Sequence, residues 1–138
     1  MRIMVLDDDR ALGRALGRIL KGHEIIVEHD PMHALERVEA GDWFDLLLCD
    51  LHMRKWSGLT IIEMMKASFK AADAPVFAIM TGDEVLPTTG ADIFLRKPFH
   101  TDELRALVTA VSERLEERSR TTTAKRGVPC VAAPQSAM

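Results

Sequence analysis

Short, uninterrupted apolar runs alternate with amphipathic stripes along most of this chain, and that alternation narrows the fold more than any single motif. The runs Ile3 to Leu6, Ile25 to Val27, Leu46 to Cys49, Val76 to Met80 and Ile93 to Leu95 have the length and branched content of strands. They are too continuous for strands with one wet face, and match strands of a parallel sheet buried on both faces. Between them apolar residues recur at helical spacing: Leu12, Leu16, Ile19 and Leu20; Leu35 and Val38; Ile61, Ile62, Met65 and Phe69; then Leu104, Leu107, Val108, Val111 and Leu115. Helix starts are signalled by Asp8 or Asp9, by Asp30 ahead of Pro31, by Ser57 or Gly58, and by Thr101. Strands alternating with helices through right-handed crossovers predict an α/β fold, a doubly wound five-stranded parallel sheet.

One crossover is short. Between Thr81 and Lys97 the chain must leave strand four and complete strand five, which leaves Gly82 to Ala91 for a connection that usually needs about a dozen residues or more. With Gly82, Pro87 and Gly90 inside it, the segment is expected to be a loop with at most one helical turn, so that the fourth helix is shortened or absent. After Arg118 come Thr121-Thr122-Thr123, alanines and two prolines. Residues 1–118 are expected to form the domain and 119–138 a disordered basic tail.

Charge narrows the partners. Three of the 18 basic residues and none of the 21 acidic ones lie after Arg118, so residues 1–118 carry a net −6 within a chain of net −3. An acidic body argues against a nucleic-acid surface. No apolar run approaches the roughly 18 residues of a spanning helix, and Met1 to Leu6 runs directly into acids, so no membrane association is expected. Cys49 and Cys130 form no paired motif, and the five histidines have no metal-ligand spacing, which makes a reducing cytoplasm the simplest compartment.

The chemistry concentrates where strands end. Ligands of an open parallel sheet bind at the carboxyl edge of its strands. Asp7 and Asp8 end the first strand, Asp50 the third and Thr81 the fourth, while Lys97 follows the fifth. Clustered carboxylates repel one another and lose hydration, so a cluster of this kind points to a cation or a reaction. Mg²⁺ takes hard oxygen ligands: Asp8 and Asp50 can bind it directly, Asp7 through a water, and the His52 carbonyl can complete the protein share. A carboxylate beside a metal is a nucleophile toward phosphorus, and Asp50 on the central strand is the candidate. Lys97 then meets the phosphoryl charge, with the Thr81 hydroxyl and Gly82 amide donating to its oxygens and Met53 assigned to the same phosphoryl-binding loops. Asp9 is expected only to cap the first helix.

Val5-Leu6-Asp7-Asp8-Asp9, Asp45-Leu-Leu-Leu-Cys-Asp50-Leu-His-Met53 with Gly58, Pro75-Val76 leading to Thr81-Gly82, and Lys97-Pro98-Phe99 resemble the receiver domain of two-component response regulators over residues 2 to about 116. The resemblance implies the flavodoxin-like strand order 2-1-3-4-5, a phosphoacceptor at Asp50, Mg²⁺ at Asp7 and Asp8, and a cis Lys97–Pro98 peptide. It also implies phosphoryl transfer from a histidine kinase or histidine phosphotransfer protein, with a downstream protein target or onward relay of the group. Phe94 is similar in position to the family's switch aromatic, though a plain core phenylalanine fits as well. His52 and Asp83 stand where family side chains influence phosphoryl lifetime, or simply face solvent.

Three departures limit the carry-over. Arg54 stands where the family usually has proline; the Pro75 to Thr81 interval has one residue more than the family pattern, predicting a late strand start or a bulge; and the short crossover removes part of a face used for signalling, exposing residues such as Val85 and Leu86. Trp43 is expected to pack ahead of the third strand, and Trp56 to serve as a partner contact or a lid. The resulting expectation is a stand-alone receiver that is not an enzyme. The alternatives are a phosphorylation-independent interaction module of the same fold and a small Mg²⁺-dependent phosphohydrolase, the latter lacking an acid at position 52.

Overall fold

In the computed structural model, which describes residues 1–126, the elements run β1 (Arg2–Leu6), α1 (Arg10–Ile19), β2 (Glu24–Glu28), α2 (Pro31–Glu39), β3 (Leu46–Asp50), α3 (Gly58–Lys66), β4 (Val76–Thr81), β5 (Ile93–Arg96) and α4 (Thr101–Arg126). All strand pairs are parallel and the order is β2-β1-β3-β4-β5, the doubly wound arrangement expected. The chain divides into a unit of residues 1–104, holding the sheet and α1 to α3, and a second unit from Arg105 onward.

The register positions the chemistry. Leu6 pairs with Cys49, so one further step sets Asp7 beside Asp50, while Asp50 pairs with Met80 and Thr81 with Arg96. Side chains alternate along each strand. Met4, Leu6, Leu47, Cys49, Phe77 and Ile79 meet Ala34, Leu35 and Val38 of α2 and Ile61, Ile62 and Met65 of α3 in one continuous core. The alternate residues Ile3, Val5, Leu46, Leu48, Ala78 and Met80 are buried on the opposite face, to which Asp7 and Asp50 belong by parity.

Helix starts follow short-range chemistry. The Asp9 carboxylate accepts from the amides of Ala11 and Leu12, Asp30 caps α2 with Pro31 in its first turn, and Ser57 caps α3. At α4 the first turn closes from the His100 carbonyl to the Leu104 amide at 3.2 Å, and the Glu103 carboxylate accepts from the His100 amide at 3.0 Å. His100 therefore occupies the capping position expected of Thr101, because Glu103 satisfies its otherwise orphaned N–H.

Several expectations are corrected. β4 begins at Val76 and pairs with β3 without interruption, so the extra residue lengthens the strand by one position and no bulge forms. α4 continues through Arg126, eight residues past the expected boundary at Arg118; Ser119 to Arg126 contains no Gly or Pro, and nothing in it stops propagation before Gly127. The remainder of the expected disordered tail, 127–138, lies outside the described residues. Trp43 is 57% exposed, with the Arg2 guanidinium 5.3 Å from its ring centre, whereas Phe44 beside it is buried. Between β4 and β5 no helical turn forms, as the spacing of Gly82, Pro87 and Gly90 foretold. Lys97–Pro98 is cis, and no helix of the described residues is long and apolar enough to cross a membrane.

Candidate functional site

Asp7, Asp50 and Thr81 are the buried polar residues among those described, and all three stand at the carboxyl edge of the sheet. Each lies at or one step past the end of a strand whose preceding residues are anchored by apolar contacts on both faces, so their backbone positions are set by the sheet. Burying unpaired polar groups is costly; here Asp7 and Asp50 share the Lys97 ammonium, and the Thr81 hydroxyl accepts from the Asp83 amide. Lys97 extends its ammonium to 3.2 Å from Asp7 Oδ2 and 3.2 Å from Asp50 Oδ1. Asp8 completes the group, since Asp7, Asp8 and Asp50 each offer an oxygen within 4.8 Å of the others. Lys97 is itself fixed at the backbone, its amide donating to the Thr81 carbonyl at 2.7 Å.

The electrostatics follow from crowding and burial. Burial raises the Asp50 carboxyl above the ordinary carboxylate range, the Asp7 charge raises it further, and Lys97 and a hydrogen bond from the His52 amide act against them. Burial lowers Lys97, but Asp7 and Asp50 outweigh it, so the ammonium is held above its ordinary value and stays charged. Burial, Asp50 and Asp7 together push the Cys49 thiol up, leaving it neutral with its Sγ 3.4 Å from the Asp50 carbonyl oxygen.

Loops bound the cluster on each side. The Asp9 amide donates to Asp7 Oδ1 at 2.8 Å, and the His29 ring nitrogen Nδ1 stands 2.9 Å from the Asp7 carbonyl oxygen. The Arg54 amide donates to Asp8 Oδ2 at 3.2 Å, a bond that proline at that position could not make. Thr81 Oγ1 accepts from the Asp83 amide at 3.1 Å, and His52 Nε2 pairs with Asp83 at 2.8 Å across the mouth of the site. An added Cβ on Gly82 would meet nothing within 4 Å, so the backbone there is open to approach. The Arg54 and His52 amides were missed as donors to the acids, because a backbone donor leaves no trace in residue type, and His29 was missed because its ring meets a backbone carbonyl.

Of the expected site residues, Asp7, Asp8, Asp50, His52, Thr81, Gly82 and Lys97 converge on this edge. Met53 does not: its amide donates to the Trp56 carbonyl at 3.2 Å and its side chain is buried in the α2 and α3 core, because residues 53 and 56 close a turn on each other. The His52 amide is the donor to Asp50 instead. Phe94 is half-buried, aligned with Ile79 and packed on that same core. Trp56 packs there too, and Val85 is 83% exposed.

Three carboxylates against one ammonium leave the cluster net negative, and an all-oxygen donor set at this spacing fits a hard divalent cation such as Mg²⁺. The response regulator receiver domain family matches residues 3–109. Response regulator MprA of Mycobacterium avium is 34% identical over 121 residues, which cover 83% of this chain and 52% of that protein, and its Mycobacterium tuberculosis counterpart is 33% identical over the same length. The chain thus spans about half the length of these curated relatives. A CheY-like receiver domain from Methanospirillum hungatei superposes with a TM-score of 0.71 at 24% identity, covering 87% of this chain and 97% of that one. The receiver domain of hybrid histidine kinase CckA gives 0.67 at 26%, with coverage of 80% and 98%. With most of the chain matched and the expected sheet order in place, this protein belongs to the response regulator receiver domain family.

Proposed function

We propose that Asp50 accepts a phosphoryl group from a histidine kinase or histidine phosphotransfer protein, and that the modified domain signals to a downstream protein or relays the group to a second histidine. The observation that carries this reading is the Lys97 ammonium held 3.2 Å from both Asp7 and Asp50, with Asp8 beside them. Asp50 is central and reachable from the sheet edge. One of its oxygens forms the new P–O bond while the bond from phosphorus to the donor nitrogen breaks. Lys97 offsets the negative charge brought to the site, and the Thr81 hydroxyl and Gly82 amide serve as donors to phosphoryl oxygens in this reading. Asp7, Asp8, Asp50 and the His52 carbonyl are the groups that would hold Mg²⁺. The ion would supply charge neutralisation at the phosphoryl oxygens.

The Thr81 hydroxyl now accepts from Asp83. Turning it toward a phosphoryl group breaks that bond and loosens the Gly82–Asp92 segment, and Phe94, half-buried on the adjacent strand, is the aromatic whose packing would respond. Incubation with Mg²⁺ and acetyl phosphate tests the assignment by intact mass. One added phosphoryl group is expected on the native chain and none on Asp50→Asn; an equal gain on the variant would overturn it.

A further inference from the structure

Beside Asp8 lies a cavity of about 450 Å³ walled by the loops after β1, β2 and β3, with Lys97 not among its lining residues. We propose that it binds a nucleoside phosphate or a closely similar anion carrying a flat ring, a role separate from phosphorylation of Asp50.

Its charge is the first reason. Arg10, Arg54 and Lys55 line it, all exposed, and none of the three forms an ion pair among the described residues. The Asp8 and Asp30 carboxylates also line it, so three cations against two acids leave its wall net positive in a chain of net charge −3, a balance that suits a phosphate.

Its wall chemistry is the second. Trp56, Pro31 and Met32 supply an aromatic ring and apolar surface, and Met32 remains 44% exposed although it borders the cavity. A flat ring stacked against Trp56 would cover that surface. Asp30 and the free oxygen of Asp8 are acceptors suited to sugar hydroxyls. The volume falls within the range of sites for small organic ligands.

Its rigidity is the third. The wall from the β3–α3 loop is tied to the β1–α1 loop by the Arg54 amide on Asp8 at 3.2 Å. The β2–α2 loop is tied to the same place by His29 against the Asp7 carbonyl at 2.9 Å, with Gly13 leaving room for that ring. Met53 and Trp56 bond each other reciprocally at 3.2 and 3.3 Å. A cavity whose three walls are cross-linked in this way is formed before any ligand arrives, which lowers the ordering cost of binding.

The test is a titration of Trp43→Phe protein, in which Trp56 is the remaining tryptophan, with ADP in the presence of EDTA so that no metal bridges the phosphates to the acids. Saturable quenching of Trp56 emission below the millimolar range is expected, weakened by about tenfold or more in Arg54→Ala/Lys55→Ala. Inorganic phosphate and adenosine, which each satisfy half of the site, should bind at least about tenfold more weakly than ADP. No saturable binding up to the millimolar range, ADP affinity unchanged in the double variant, or phosphate binding as well as ADP would each overturn the proposal. Because the readout needs neither Mg²⁺ nor a phosphodonor, it stands or falls apart from the role given to Asp50.

Discussion

Gly58 lies so close beneath Asp50 that a Cβ placed on it would stand 2.3 Å from the Asp50 carbonyl oxygen and 3.0 Å from Ile79 Cδ1. The Gly58 amide donates to the Leu51 carbonyl at 2.8 Å, so α3 starts directly against the end of β3. Backbone cannot yield as a flexible side chain would. Gly58→Ala is therefore expected to destabilise the fold by about 2 kcal/mol and to displace Asp50. Gly17, inside α1, provides the contrast, because a Cβ added there would meet nothing within 4 Å. Gly17→Ala should stabilise by about 0.5–1 kcal/mol. Urea midpoints at equal slope measure both, and a neutral Gly58→Ala would contradict the close approach.

Asp50 costs stability at neutral pH. Burial and then Asp7 raise its carboxyl pKa in the folded state, against the opposing pull of Lys97. An acid raised by folding binds protons more readily in the native than in the unfolded state, so its favourable contribution exists below the unfolded pKa and disappears as pH rises through the folded one. Asp50→Asn should accordingly raise the urea midpoint at pH near 7, with the gain shrinking toward about pH 3, where the Asp50 carboxyl is largely protonated in the folded and unfolded states alike. Lys97 works at the opposite end: its raised pKa means that its contribution is present below the ordinary lysine range and is lost as pH climbs through the folded value. A lower midpoint for Asp50→Asn at neutral pH would show that its pairing with Lys97 outweighs burial and repulsion.

The five buried strands, the short crossover and most of the acidic cluster were legible because each leaves a mark in residue type, whereas the strand order came from the family resemblance. Leu46 to Cys49 can only be a strand buried on both faces, and an acid at its end must then reach the sheet edge. What was not legible depends on backbone direction. Met53 faces the core because residues 53 and 56 close on each other, and the Arg54 amide reaches Asp8 because of that same turn. The end of α4 was misplaced for a related reason. Threonines read as loop by composition, yet helix propagation needs only the absence of a stop, and the first Gly after Arg118 is Gly127.

Mg²⁺ should stabilise this domain in proportion to its occupancy, because the Asp7, Asp8 and Asp50 oxygens come within 4.8 Å of one another only in the folded chain. At about 100 times the dissociation constant the gain is about 2.7 kcal/mol. Asp8→Asn removes one ligand charge without disturbing the buried pair of Asp7 and Lys97, so it should retain the fold and lose most of the Mg²⁺-dependent rise in midpoint. Ca²⁺ and Mg²⁺ titrations followed by thermal unfolding measure this, and an Mg²⁺ response equal to wild type in Asp8→Asn would remove Asp8 from the ligand set.

Arg96 takes over part of the work of the missing helix between β4 and β5. Its guanidinium donates to the Asp83 carbonyl at 2.9 Å and the Glu84 carbonyl at 2.6 Å, holding the segment that leaves Thr81 against the edge of β5. Farther along, Gly90 packs on Leu59 so tightly that a Cβ would stand 2.9 Å from its Cδ2, which fixes the returning end of the loop to α3. Removing Arg96 releases the first anchor and leaves the second. Arg96→Ala should therefore speed amide exchange from Asp83 to Leu86 by about tenfold or more, while protection across β3 and β4 changes little. Global stability should fall by only about 1 kcal/mol, the worth of hydrogen bonds at an exposed loop. Exchange measured by mass spectrometry on peptides spanning residues 82–92 distinguishes this local opening from general unfolding. Uniform acceleration throughout the sheet would mean that Arg96 supports the fold as a whole.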